Sequence, residues 1–240
     1  MMVGIHQPMY LPWLGYFDKI HRCDTFVILD DAAYSRNYFV NRNRIRTREG
    51  WMWLTVPVRS SGRFGQPINQ VEVDQGRRWQ ARHWRSIGYS YGNAPFFGEY
   101  SAFFEEFYAG DHARLQAVLM DPLRFLLESL GIGTRILLSS ELGVKGTKDE
   151  RLLAICRELG ADSYLSGPSG KDYLDPAPWE AEGIEVHFHD YRHPVYPQVQ
   201  GGDFVPEMSV IDLLFNCGGD SLRVLTESQP DYGAKAAGGA

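Results

Sequence analysis

The stretch from residue 3 to residue 31 constrains the fold more than any other part of the chain. Residues 3–5 are apolar, residues 14–21 have the spacing of a short amphipathic helix, and residues 25–29 form an apolar, β-prone run ending in Asp30-Asp31. A strand, a helix and a strand in this order, with strands too apolar to alternate, predict a βαβ unit in a parallel sheet buried on both faces. Between the first strand and the helix runs Ile5-His6-Gln7-Pro8-Met9-Tyr10-Leu11-Pro12-Trp13, which carries more polar and rigid chemistry than an ordinary turn needs. The loop that follows the first strand of such a sheet is where ligands usually bind.

Strands and helices continue to alternate downstream. The patterning predicts strands at residues 51–58, 68–73, 135–139, 163–165 and 184–189, and helices at 79–89, 100–107, 114–130, 147–159 and 208–215, the last starting from Ser209. Trp79, His83 and Ile87 share one helical face. Pro122 is expected to kink or divide its helix, and Thr147-x-x-Glu150 has the spacing of a capping box. Together these predict a single α/β domain over residues 1–228, Rossmann-like, with a mostly parallel sheet, flanking helices and a helical insert near 98–132. Residues 229–240, rich in Gly and Ala, are expected to be a disordered tail.

With 240 residues, 44% of them hydrophobic, the chain can bury one large core or two smaller ones. No run reaches the ~18 apolar residues of a membrane span and no leader peptide is apparent, so the expected location is the cytoplasm. Cys23, Cys156 and Cys217 are odd in number and far apart, which argues against disulfides and a thiolate zinc site and for burial. A formal charge of -6 argues against broad nucleic-acid binding.

Five groups of residues carry candidate chemistry. His6, with Gln7, Tyr10 and Trp13 after it, leaves a strand end between stiffening prolines; a lone loop histidine is ordinarily structural, but this position suits an acid, a base or a hydrogen-bond donor to an anion. Asp30-Asp31 ends the second strand and is either a turn-and-cap pair or a group for binding a hydroxyl or magnesium, with at most one carboxylate pointing into a crevice. Asn41-Arg42-Asn43-Arg44 is a basic run in an acidic chain; guanidinium groups pair with phosphate or carboxylate, though such runs are often solvated surface. Ser166-Gly167-Pro168-Ser169-Gly170-Lys171-x-Tyr173 offers exposed amides, hydroxyls and a charge to an anion, without the spacing of a Walker A loop. Finally, His187, His189, Asp190 and His193 could ligate a metal only if one strand ran through them, so no metal site is expected. His193, Tyr196 and Gln198 look like substrate-facing polar groups instead.

The segments IHQPMYLPWLGYFDKI, FVILDD, NRNRI, WLTVPV, YLSGPSGKDYL, DYRHPVYPQ and SVIDLLFNCGG run in order from residue 5 to residue 219. Together they resemble the bacterial WbqC-like family, the opening HQPxYLPWxGY being the most distinctive part. The resemblance singles out His6, Gln7, Pro8, Tyr10, Pro12, Trp13, Asp30, Asn41, Arg42, Asn43, Ser166, Gly167, Gly170, Tyr173, Asp190, Tyr196, Gln198, Ser209 and Asp212. Ala32-Ala33 is smaller than is common in the family at that place. The family is associated with gene clusters for O-antigen and related surface polysaccharides. More distantly, the layout is similar to that of nucleotidylyltransferases and pantothenate synthetase, whose first loop carries an HxGH motif; here that loop has a single histidine.

These observations imply an enzyme that transfers an acyl or aminoacyl group to an amine, on a nucleotide-linked amino sugar, in surface-glycan or natural-product assembly. It would be an acyl or aminoacyl transferase, or an amide ligase using ATP and magnesium. His6 and Asp30 would be catalytic, while Arg42, Arg44 and Lys171 with the 166–171 loop would hold phosphates and Tyr10 and Trp13 would wall the pocket. The alternatives are a nucleotidylyltransferase and a noncatalytic protein that binds a sugar nucleotide or a glycan-pathway partner.

Overall fold

The computed structural model describes residues 1–227 and 229. Five parallel strands form its central sheet: β1 (Met2–His6), β2 (Thr25–Ile28), β5 (Arg135–Leu138), β6 (Ser163–Ser166) and β7 (Glu185–Phe188). They lie in the order β5-β2-β1-β6-β7, and a separate antiparallel hairpin pairs β3 (Arg42–Thr47) with β4 (Gly50–Thr55). The chain is thus α/β with a Rossmann-like parallel sheet, as its opening predicts. No helix among the described residues is long and apolar enough to cross a membrane.

Both faces of the sheet are covered, which is why its strands lack alternation. On one face, Phe26, Ile28 and Leu165 pack with α1 (Leu14–His21), the hairpin and a helical insert of α2 (Trp79–Tyr91), α3 (Phe97–Ala109) and α4 (Leu115–Ser129). On the other, Val3, Ile5, Val27 and Tyr164 meet Ile155 and Cys156 of α6 (Lys148–Glu158) and Trp179 of α7 (Pro176–Ala181), with the Tyr164 and Trp179 rings stacked at 4.7 Å. Gly4 makes room for the chain between α1 and β2 and for the Phe26 ring: a Cβ there would lie 2.5 Å from Cys23 Sγ and 2.8 Å from Phe26.

Several local expectations need correction. Residues 68–73 are a 3-10 turn (Ile68–Gln70) with isolated bridges from Glu72 and Val73, not a strand, because the chain turns after Pro67 and the Gln66 side chain bonds the Gln70 carbonyl. The basic run, given no element by its composition, is β3. Pro122 lies inside α4 without dividing it, and the helix expected at 100–107 starts earlier, at Phe97. Thr147 stands at the N-cap of α6 but makes no capping bond, whereas Ser209 caps α8 (Val210–Cys217) by accepting from the Ile211 amide. The 229–240 tail lies outside the described residues except for Gln229, which exchanges two hydrogen bonds with the Arg192 backbone, at 2.9 and 2.6 Å.

Candidate functional site

The strand order reverses beside β1: α1 carries the chain from β1 to β2 on one side, and α6 carries it from β5 across to β6 on the other. A crevice opens at the carboxyl ends of strands at such a switch point. There the protein has a cavity of about 390 Å³. Ile5, His6 and Gln7 line it from the end of β1, Leu29 from the end of β2, and Tyr164, Gly167, Ser169 and Tyr173 from β6 and the turn after it. Leu152 of α6 and Ser35 and Tyr38 of the 31–41 loop complete the wall.

His6 is the basic titratable group of this wall, whose other titratable side chains are tyrosines. Its Nδ1 lies 2.9 Å from the Gln7 carbonyl, which can only accept, so Nδ1 carries the proton and Nε2 the lone pair. The ring stands edge-on to Tyr16 at 5.3 Å. Burial, then repulsion from the Lys19 ammonium, brings the pKa of His6 down to about 4 despite the opposing Gln7 bond. The imidazole is therefore neutral at ordinary pH and able to accept a proton.

Lys19 is an unforeseen part of this arrangement. It lies on α1, almost fully buried, and donates to the Ile5 carbonyl at 2.9 Å, one residue before His6. Burial lowers its pKa to about 8. Its neighbour Asp18 is fully buried too, and takes His189 Nε2 and Arg22 Nε, each at 2.7 Å. A short helix of mixed composition gives no sign in sequence that two adjacent charges will face the sheet.

Other expected site residues are placed elsewhere. Asp30 is buried and accepts from Asn69 Nδ2, Gln116 Nε2, the Ser140 amide and the Ser140 hydroxyl at 2.7–3.1 Å, with Ser139 Oγ at 3.3 Å. It joins the end of β2 to the start of α5 (Ser139–Leu142) and is not in the cavity wall. Asp31 pairs with Arg151 at 2.6 Å; although burial opposes it, bonds from Arg151 and Ser139 hold its carboxyl below the usual range. Tyr10 has no exposed surface; its hydroxyl meets His83 Nδ1 at 2.9 Å and Tyr108 at 2.6 Å, tying the loop to α2 and α3. Trp13 packs edge-on against Tyr191 at 5.4 Å.

On the hairpin, Asn41 Nδ2 donates to the Val56 carbonyl and Asn43 Nδ2 to the Leu11 carbonyl, at 2.8 and 2.7 Å. Both asparagines fasten backbone. Arg42 and Arg44 lie on the opposite face, over the rings of Trp53 and Trp51, and Arg44 also pairs with Glu207 at 2.6 Å. Of the later loop, Gly167, Ser169 and Tyr173 reach the cavity. Ser166 is buried, and Gly170 makes room for it, since a Cβ there would stand 2.1 Å from Ser166 Oγ. Lys171 turns away, its Nζ 5.7 Å from the Phe188 ring, in a groove along β7.

The C-terminal group is a set of internal braces. His193 donates from Nδ1 to the Pro194 carbonyl at 2.8 Å and accepts the Glu207 amide at Nε2, at 3.0 Å. Tyr196 and Gln198 each donate to the buried Asp212 carboxylate at 2.8 Å, and none of the three lines the cavity. Burial raises the Asp212 pKa, with bonds from Gln198, Tyr196 and Tyr91 opposing it. Among the described residues no group of His, Cys, Asp and Glu is placed to hold a metal ion.

The cavity thus brings together His6, Gln7, Gly167 and Tyr173 of the residues expected at the site, with Ser169 of the same expected loop, and adds Ser35, Tyr38, Leu152 and Tyr164. Comparison with known proteins finds the uncharacterized protein Rv1507c of Mycobacterium tuberculosis (strain ATCC 25618 / H37Rv), 38% identical over 232 residues and covering 96% of each chain. No solved structure matches. The profile of the WbqC-like protein family matches residues 7–224, a span that holds the helix, the hairpin and most of the cavity wall, and the chain belongs to that family.

Proposed function

We propose that the protein is a cytoplasmic enzyme of surface-glycan assembly that acylates an amine on a nucleotide-linked amino sugar. The observation that carries this reading is the neutral His6 at the end of β1, in the wall of a cavity at the switch point of the sheet. An amine that attacks an acyl carbon must lose a proton as the new C–N bond forms. His6 Nε2 accepts that proton and returns it to the leaving group as the acyl bond breaks, so the histidine ends as it began. Gln7 and Ser169 supply neutral hydrogen-bonding groups for a polar substrate, and Leu29, Leu152 and Tyr164 keep water from one wall.

Lys19 is assigned a positioning role, holding the Ile5 carbonyl and keeping charge off the imidazole. Asp30, with its bonding filled from four residues, is assigned to hold the β2–α5 corner. The donor is either a pre-activated acyl group or a carboxylate activated with ATP and magnesium; the second yields AMP and pyrophosphate. Nucleotidylyl transfer is the next reading, favoured by the strand order with a histidine ending β1. It releases pyrophosphate with a sugar phosphate and needs no amine.

Replacing His6 with alanine is expected to lower turnover about 100-fold while leaving substrate binding nearly intact. Amide formation is followed by mass spectrometry, with UDP- and dTDP-amino sugars as acceptors and acyl thioesters, or free amino acids with ATP, as donors. A His6→Ala variant that is fully active removes His6 as the base; a wild-type protein that binds these compounds but never turns over is a binding protein.

A further inference from the structure

The outward face of the β3–β4 hairpin carries more aromatic surface than its own packing needs. In the antiparallel register Arg44 stands opposite Trp53 and Arg46 opposite Trp51, so Arg42, Arg44 and the tryptophans share one face, with Arg46 on it buried against the Gly50 and Gly201 carbonyls, while Asn43, Ile45 and Leu54 point inward. The Arg42 guanidinium lies 4.3 Å from the Trp53 ring, and that of Arg44 lies 5.1 Å from Trp51 and 5.8 Å from Trp53. From Trp51 the rings continue to Trp53 at 5.6 Å, to Phe39 at 5.8 Å and to Tyr38 at 5.8 Å. Tyr38 is in the wall of the His6 cavity. The row therefore leads out of the cavity across the surface, with Tyr38 53% and Trp51 45% exposed.

We propose that this face is a nucleotide subsite in which a base stacks on Trp51 and the diphosphate lies over Arg42 and Arg44, delivering the attached sugar past Tyr38 to His6. Exposed aromatic side chains scattered singly need no explanation; a continuous row that ends in a cavity does. A flat ring with an attached anion matches both parts of the face, π surface and guanidinium charge, in a chain whose net charge is -6. An uncharged sugar or a bare anion would use only one part.

One carboxylate already occupies the place of the anion. Glu207 closes on Arg44 at 2.6 Å, yet its side chain is 63% exposed and its backbone sits in the left-handed region at φ 61. A phosphate reaches Arg44 by displacing this exposed partner into water. Glu207 is thus a competitor for the subsite, and removing its charge should help a nucleotide bind.

The substrate class named here rests on the reading above, but the test does not depend on turnover. Uridine 5′-diphosphate and thymidine 5′-diphosphate are titrated by calorimetry and by tryptophan fluorescence, with inorganic pyrophosphate and free glucosamine as controls. Affinity is expected to fall about tenfold or more in Trp51→Ala, within the range of base–aromatic stacking, and to be largely kept in Trp51→Phe. It is expected to rise in Glu207→Gln and to stay unchanged in His6→Ala. Equal nucleotide affinity in wild type and Trp51→Ala, or pyrophosphate binding as tightly as either nucleotide, overturns the subsite. So does nucleotide binding that Glu207→Gln weakens. Nucleotide binding that depends on Trp51 in a protein that acylates no amine upholds the subsite and removes the acyl-transfer reading.

Discussion

A histidine held neutral by burial leaves a signature in both activity and stability. His6 in the folded protein has a pKa of about 4, against 6.5 for the free side chain. If it is the base, the acid limb of kcat/KM lies near pH 4 and not near 6.5, which a pH-rate profile reads directly. For stability, the unfolded chain takes up its proton as pH falls through 6.5 while the folded form refuses it until about 4, so stability declines across that window. His83, also lowered to about 4 by burial, adds to the decline. Urea unfolding at pH 7.5 and pH 5 should show a smaller loss in His6→Gln and in His83→Gln than in wild type, and an equal loss in all three would mean that neither ring is held neutral. His6 was legible from its loop because a polar residue at a strand end is positioned by the backbone. Tyr10, His193, Tyr196 and Gln198 carry the same polar chemistry, but only the fold shows that each is spent on an internal partner.

Helix starts show the same limit at the level of the element. Thr147-x-x-Glu150 has the spacing of a capping box, yet Thr147 makes no capping bond, whereas Ser209 accepts the Ile211 amide and is fully buried. Spacing specifies which atoms could meet; the entering chain decides whether they do. Chemical denaturation should therefore find Ser209→Ala destabilising by about 1 kcal/mol, and Thr147→Ala by only a few tenths, in keeping with the range for a lost cap. Comparable costs at both sites would mean that the Thr147 hydroxyl does bond the helix. The hairpin shows why composition can conceal a strand. The basic composition of residues 41–44 points to an anion site or a solvated surface and to no strand, but alternate residues Asn43 and Ile45 are buried, and Arg42, Arg44 and Arg46 lie on tryptophans or reach neighbouring carbonyls.

For the molecule as a whole, the decisive property is that β1 lies inside the sheet with a crossover on either side. The apolar runs at 3–5 and 25–29 made a parallel sheet legible, and with it the region of the site. They could not show that the 31–41 loop would close over the strand ends, because Ser35 and Tyr38 carry no local signal of that contact. A cavity built from β1, β2, β6, α6 and that loop links elements distant in sequence, so a ligand filling it should stabilise the fold as a unit. Mass action gives about 2.7 kcal/mol at a free concentration 100 times Kd, or roughly 5–10 °C in Tm for a domain of this size. Thermal melts with UDP- or dTDP-amino sugars, ATP-magnesium and free amino acids separate the readings. A shift with sugar nucleotides alone supports transfer from a pre-activated donor. A shift with ATP that the His6→Ala variant loses places activation in the same cavity. Because His6 is assigned to the amine proton and the hairpin face to the nucleotide, the variant should shift nearly as far as wild type with sugar nucleotides, so binding and chemistry part at a single residue.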